Sequence, residues 1–214
     1  MKYQAILFDF DGTLANNLLY YVKAYDYALK KYNIHLSNKE IGSECFGKSE
    51  ETITRNFNFP SAEEFRNYYF EGIRKHFTNV QLFEGAREVL EELDRNNIKL
   101  CLISFAFKWY IDMMLDQTNL RNYFPLIITF DDVKNAKPDP EGVLNASKKL
   151  HLPVENMLLV GDSSGDIRMG KAAGCDTALF LPKDNTLYYD FDSLRKLNPE
   201  YEFSNYEELS KIIV

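Results

Sequence analysis

Short apolar runs alternate along this chain with longer stretches whose apolar residues recur every three or four positions. The first run, AILF within residues 4–10, is bounded by Asp-Gly and is too short for a helix, so it predicts a buried strand. From Leu18 the pattern changes. Leu18, Val22, Tyr25, Leu29 and Tyr32 fall on one helical face. Further helices are predicted over 50–57 and 62–77, the latter with Phe65, Tyr69, Ile73 and Phe77 on one stripe best read as core. No strand pattern interrupts the text between about Leu14 and Thr78, so the stretch reads as a helical insert. After it the chain alternates. Helices are predicted over 85–93, 109–115, 140–150 and 166–173, and strands over 98–104, 126–129, 157–160 and 177–181. Pro140 sits in a first turn, where its missing N–H costs nothing, and Gly174 stops the helix before it. The tail, 201–214, predicts one short strand and a closing helix. Alternation of this kind predicts an α/β fold with a Rossmann-like parallel sheet and helices on both faces. The core would be residues 1–14 and 79–214, and a small all-helical domain, 15–78, would follow the first strand.

Three of the apolar runs end in reactive residues: Asp9, Ser104 and Asp162. In open parallel sheets the carboxyl ends of the strands form the ligand crevice, so the fold gathers these three with Asp11. Lys137, in FDDVKNAKPDP, and Asp166, one loop beyond Asp162, would reach the same rim. Four carboxylates against a single lysine would repel one another, and some would have to be protonated unless something neutralises them. A divalent cation would do so. All candidate ligands are oxygens, with no His or Cys nearby, which favours Mg²⁺ over zinc. Magnesium beside a lysine is a setting that an anion, especially phosphate, can approach. Each motif alone has a plainer reading. Asp-Gly could turn a hairpin, GDSSGD could cap a helix, and AKPDP could begin one. Their joint occurrence in this order weighs against the plain readings.

Composition narrows the class. The chain has 214 residues and a net charge of -7, which argues against a nucleic-acid-binding surface but leaves small anionic substrates open. Cys45, Cys101 and Cys175 are odd in number and widely spaced, so no disulfide framework or zinc pattern is expected and the setting should be the reducing cytoplasm. The first apolar run is too short for a signal peptide, and no later run is long enough to span a membrane. The expected partner is a small molecule, with no nucleic acid and no membrane, and the expected state is a monomer or weak homodimer.

DFDGTL, a Ser ending the second strand, the Lys of KPDP, and GDSSGD together resemble the four-part signature of the haloacid dehalogenase-like hydrolase superfamily. The sequence looks like its phosphoglycolate-phosphatase-like branch, in which a helical cap follows the first motif. The resemblance implies a magnesium-dependent phosphatase acting on a small phosphorylated metabolite. Asp9 would be the nucleophile that forms an aspartyl-phosphate, and Asp11 the proton donor and then the base. The metal would be held by Asp9, the Asp11 backbone carbonyl and Asp162, with Asp166 acting through water or by orienting the site. Ser104, the Phe105 backbone N–H and Lys137 would bind the phosphoryl group, and Gly12 would permit the turn that brings backbone N–H groups to it. Where many relatives carry Asn after the motif-two Ser or Thr, this chain has Phe105, and Asn16-Asn17 replaces Asp-Ser or Asp-Thr. With Phe107 and Trp109, Phe105 could form an apolar wall or pack beneath a cap. In FGKSEETITRNF, Lys48 and Arg55 are candidate contacts for a second anionic group, against the alternative of solvated surface charges. A phosphomutase similar to β-phosphoglucomutase is the alternative activity, although Thr13 is commoner among phosphatases. A dead phosphate-binding scaffold is the second alternative. A dehalogenase is disfavoured because those relatives lack a counterpart of Asp11.

Overall fold

The structure, a computed structural model, describes residues 2–213; Met1 and Val214 lie outside the described residues. β1 is Ala5–Phe8, fully buried, and it stops two residues short of the apolar text because the chain turns from Phe10 onward. Four helices follow: α1 Leu18–Lys30, α2 Asn38–Cys45, α3 Glu50–Phe57 and α4 Ala62–His76. α2 was not expected, since NKEIGSEC offers only Ile41 and Cys45 to a core. Its readable signal is a capping box, in which Ser37 accepts from the Glu40 N–H and Glu40 from the Ser37 N–H. Ser49 and Ser61 cap α3 and α4 in the same way at one end, and α4 carries acids in its first turn and bases in its last, matching the helix dipole.

The remaining elements are α5 Ala86–Arg95, β2 Lys99–Ile103, α6 Lys108–Thr118, β3 Leu126–Ile128, α7 Glu141–Leu150, β4 Met157–Gly161, α8 Ser164–Ala173, β5 Asp176–Phe180, α9 Phe191–Arg195, β6 Tyr201–Phe203 and α10 Tyr206–Ile213. Among the described residues the six strands form one sheet in the order β3-β2-β1-β4-β5-β6, parallel at every pairing. The α/β reading therefore stands, with a Rossmann-like strand order. Chain order reverses at β1, which lies between β2 and β4, so the crevice belongs at the carboxyl ends of these central strands. Side chains alternate across the sheet. Leu7, Cys101, Ile103 and Leu159 pack with Val143 and Ala146 of α7 and Met169 of α8. On α5 and α10, which contact one another, Leu90 and Leu209 are likewise fully buried.

The chain divides into two compact units. One comprises the residues up to Asn16, Val80–Lys183, and those from Asp190 onward; it holds the sheet. The other comprises Asn17–Asn79 together with Asp184–Tyr189 and is helical apart from its loops. The second segment was not expected there. Its Tyr188 packs against Gly42 and lies 5.9 Å from the Phe46 ring. This unit has an aromatic core. Tyr25 stacks on Tyr69 at 4.5 Å, and Phe59 on Phe65 at 4.9 Å. The expected stripe of α4 is core, with Phe65, Ile73 and Phe77 buried. Gly72 lets α4 approach α1 closely, since a Cβ there would lie 2.8 Å from the Ala24 Cα. Among the described residues no helix is long and apolar enough to cross a membrane.

Candidate active site

Register places the polar residues in one row. Phe8 pairs with Leu102 on one side and Val160 on the other, so the residues just beyond these strands emerge side by side. The Asp9 N–H still donates to the Val160 carbonyl at 2.9 Å, and the Ser104 N–H to that of Ile128 at 3.0 Å. The ladder thus holds the backbone of both residues at the crevice. Beyond Asp9 the chain makes a tight excursion. Gly12 has φ +76, a region that L side chains rarely adopt, and its N–H donates to the Ala15 carbonyl at 2.9 Å. The expected turn is present, but the Gly12 N–H is spent on Ala15.

Asp9, Asp162 and Asp166 converge. Each can offer one carboxylate oxygen such that the three lie within 4.8 Å of one another, and all three are buried. Lys137 Nζ donates to Asp9 Oδ1 at 2.7 Å and to Asp166 Oδ1 at 2.5 Å. The other Asp166 oxygen accepts from the Ser163 N–H at 3.1 Å and the Ser163 hydroxyl at 2.5 Å. This is the capping box of α8, which begins at Ser164 and not at Asp166 as expected. One carboxylate therefore starts a helix and orients the lysine. Gly161 makes room for it, because a Cβ there would sit 2.3 Å from the Asp166 Cγ.

The electrostatics follow from burial. Loss of water pushes the Asp9 carboxyl up to about 7; Lys137 opposes this, and Asp166 and Asp11 add to it. Burial also raises Asp162, with Asp9 and Asp166 adding to the shift. Burial works against the Lys137 charge, but Asp166 and Asp9 outweigh it and hold the ammonium more firmly protonated than usual. A single lysine does not balance the buried carboxylates. Their all-oxygen donor set and their separation fit a hard divalent cation.

Asp11 stands apart. It is half-buried, and its Oδ1 accepts from the Tyr110 hydroxyl at 2.6 Å. Ser104 is buried, and its hydroxyl accepts from the Ala106 N–H at 3.2 Å. The Phe105 ring packs on the core cluster and lies under Lys137, 5.4 Å from Nζ to the ring centre. Phe107 lies 5.1 Å from Phe130, and Trp109 remains partly exposed. Phe105 is therefore a floor beneath the lysine. Lys48 and Arg55 belong to the helical unit. Lys48 pairs with Glu44 at 2.9 Å, and Arg55 is exposed.

Four supporting residues escaped the sequence reading. Thr13 Oγ1 donates to Asp162 Oδ1 at 3.3 Å, and the Tyr206 hydroxyl to the Thr13 carbonyl at 2.9 Å. Tyr110 and Ser163 are the others. Ser163 was legible as a cap three residues before Asp166. The tyrosines were not, because their partners lie 99 and 193 residues away.

The chain is similar to known proteins in sequence and in fold. The family model for haloacid dehalogenase-like hydrolases matches residues 6–180. A pyrophosphatase, PpaX, from Oceanobacillus iheyensis is 32% identical over 100% of this chain and 98% of its own length. A PpaX from Listeria welshimeri is 34% identical over 83% of this chain and 82% of its own. A haloacid dehalogenase-like family hydrolase from Streptococcus pneumoniae has a similar fold, with a TM-score of 0.86 at 18% identity, covering 100% of this chain and 99% of that one. With residues of three motifs converging on one site and a family match over most of its length, this chain belongs to the haloacid dehalogenase-like hydrolases.

Proposed function

We propose that this hydrolase is a magnesium-dependent phosphatase that cleaves a small phosphorylated metabolite through an aspartyl-phosphate on Asp9. The observation that carries the reading is the lysine clamp. Lys137 bridges Asp9 and Asp166 beside Asp162, which leaves a nucleophilic carboxylate next to a fixed cation and a metal-ligand set. Mg²⁺ would be held by the carboxylates of Asp9 and Asp162 and by the Asp11 backbone carbonyl, with Asp166 orienting them. When bound, it supplies positive charge that offsets the carboxylates and the phosphoryl oxygens.

The chain's own residues perform the transfers. An Asp9 oxygen attacks phosphorus while the bond to the leaving oxygen breaks, and that oxygen takes a proton from Asp11. Water then attacks the phosphoryl group and gives its proton to Asp11, and Asp9 is released. Ser104, the Phe105 N–H and Lys137 hold the phosphoryl oxygens. The helical unit serves as the cap domain, with Lys48 and Arg55 contributing to substrate choice. The relatives' name puts inorganic pyrophosphate on the substrate panel beside phosphate monoesters.

The test uses p-nitrophenyl phosphate. Turnover should vanish in EDTA and return with Mg²⁺. Asp9→Asn should form no phosphoenzyme. Asp11→Asn should release phenol in a burst near one equivalent and then stall, because an acidic phenol departs without help while hydrolysis still needs the base. Acid–base help is worth about 10²–10⁴ in rate. Peptide mapping after quenching should place the phosphate on Asp9. Full turnover in EDTA removes the metal from the mechanism, phosphate on Ser104 overturns the role assignments, and an inert wild type favours a phosphate-binding scaffold.

A further inference from the structure

The carboxylates of the crevice have partners of different kinds: Asp162 accepts from the Thr13 hydroxyl, and Asp11 from a phenol. Asp9 and Asp166 face the Lys137 ammonium, and Asp166 also caps α8. Asp11 meets a neutral phenol. Tyr110 is buried, sits in the first turn of α6, and reaches Asp11 Oδ1 at 2.6 Å. A group that gains and loses a proton in every cycle gains from such a partner. A lysine clamp would bind the carboxylate and release the acid. A phenol donates to the carboxylate and can accept from the acid, so the anchor survives both states. Asp11 lies three residues beyond the last pairing of β1, in a bridge with Ala15, and its side chain is half-buried. The Tyr110 hydroxyl is a direct contact that acts on the Asp11 rotamer.

We propose that Tyr110 is a positioning residue for proton transfer, its hydroxyl holding the Asp11 carboxyl in the rotamer that serves the leaving oxygen and then the attacking water. The proposal rests on the phosphatase reading above. No motif of the sequence marks Tyr110, and the contact exists only because α6 follows β2 beside β1.

The experiment is a double-mutant cycle. Tyr110→Phe keeps the ring and its packing and removes only the hydroxyl. With an alkyl phosphate, where departure needs a proton, kcat should fall roughly ten- to a hundredfold, as befits a hydrogen bond to an ionisable group, with KM little changed. With p-nitrophenyl phosphate the pre-steady-state release of phenol should change less than about threefold, while the steady rate falls with aspartyl-phosphate hydrolysis. In an Asp11→Asn background, adding Tyr110→Phe should cost less than about twofold further, because the hydroxyl acts through the carboxyl. General damage to the fold would lower both backgrounds alike and give additive losses. Additivity, or a first step slowed equally with both classes of ester, overturns the proposal while leaving the phosphatase reading in place. A wild type with no turnover on either ester overturns the phosphatase reading, and this proposal with it.

Discussion

Lys137 carries the charge balance of the crevice, and the imbalance that it leaves has a measurable consequence. Burial raises the Asp9 carboxyl from 3.8 to about 7 in the folded state, and Asp162 shifts in the same direction. A carboxyl raised in the folded state contributes stability fully below its unfolded pKa, and loses that contribution as pH rises through the folded value. From these two groups, the cation-free protein should lose stability as pH rises from about 4 to about 7. Magnesium requires the ionised carboxylates, so its stabilising increment should grow over the same window. Groups such as Asp176 behave oppositely: burial raises it, but Lys2 and Tyr3 outweigh that and hold it low. They cancel when the increment is taken at each pH. Melting temperatures with EDTA and with excess MgCl₂, at about pH 5 and about pH 8, give the measurement. The Mg²⁺ increment should be larger at the higher pH. Equal increments would mean that the cation does not compete with protons for Asp9 and Asp162.

At the scale of elements, the join between β4 and α8 couples packing to chemistry. Gly161 ends the strand, Ser163 caps the helix, and Asp166 folds back over both. A methyl group on Gly161 would overlap the Asp166 carboxyl, which is itself held by Lys137 and Ser163. Gly161→Ala should therefore displace Asp166 and loosen the lysine. Overpacking of this kind costs about 1–3 kcal/mol. Turnover should fall with it, and by more than a surface control of equal stability loss. A melting temperature and kcat both at wild-type values would show that the loop yields without moving the carboxylate.

For the whole molecule, the proposed roles fall on different sides of the division into two units. Every residue assigned to bond making lies in the unit that holds the sheet, whereas Lys48 and Arg55 lie in the helical one. If the helical unit selects the leaving group, Lys48→Ala should reorder natural substrates, inorganic pyrophosphate among them. Rates with p-nitrophenyl phosphate should change much less. A panel of phosphorylated metabolites compared between wild type and variant gives the ranking. An unchanged order would return Lys48 to a surface ion pair with Glu44, the contact it already makes.

Much of this protein follows from local pattern alone. The strands are short, apolar and capped by polar residues, and the helices are amphipathic, so periodicity located nearly all of them. Position at a strand end was enough to single out Asp9, Ser104 and Asp162, because parallel sheets open their crevice there. α2 and α9 escaped, being short and poorly amphipathic, with capping chemistry as their main signal. The transfer of Asp184–Tyr189 to the helical unit was illegible as well. It depends on Tyr188 meeting Gly42 and Phe46, far away in sequence. The same limit hid Tyr110 and Tyr206. A tyrosine in an amphipathic helix reads as core, and nothing local says where its hydroxyl points. Sequence determined which charges would be gathered, through strand ends and motif spacing. Only tertiary structure decided which donor meets each of them, since a hydrogen bond across 99 residues is set by how helices dock on the sheet.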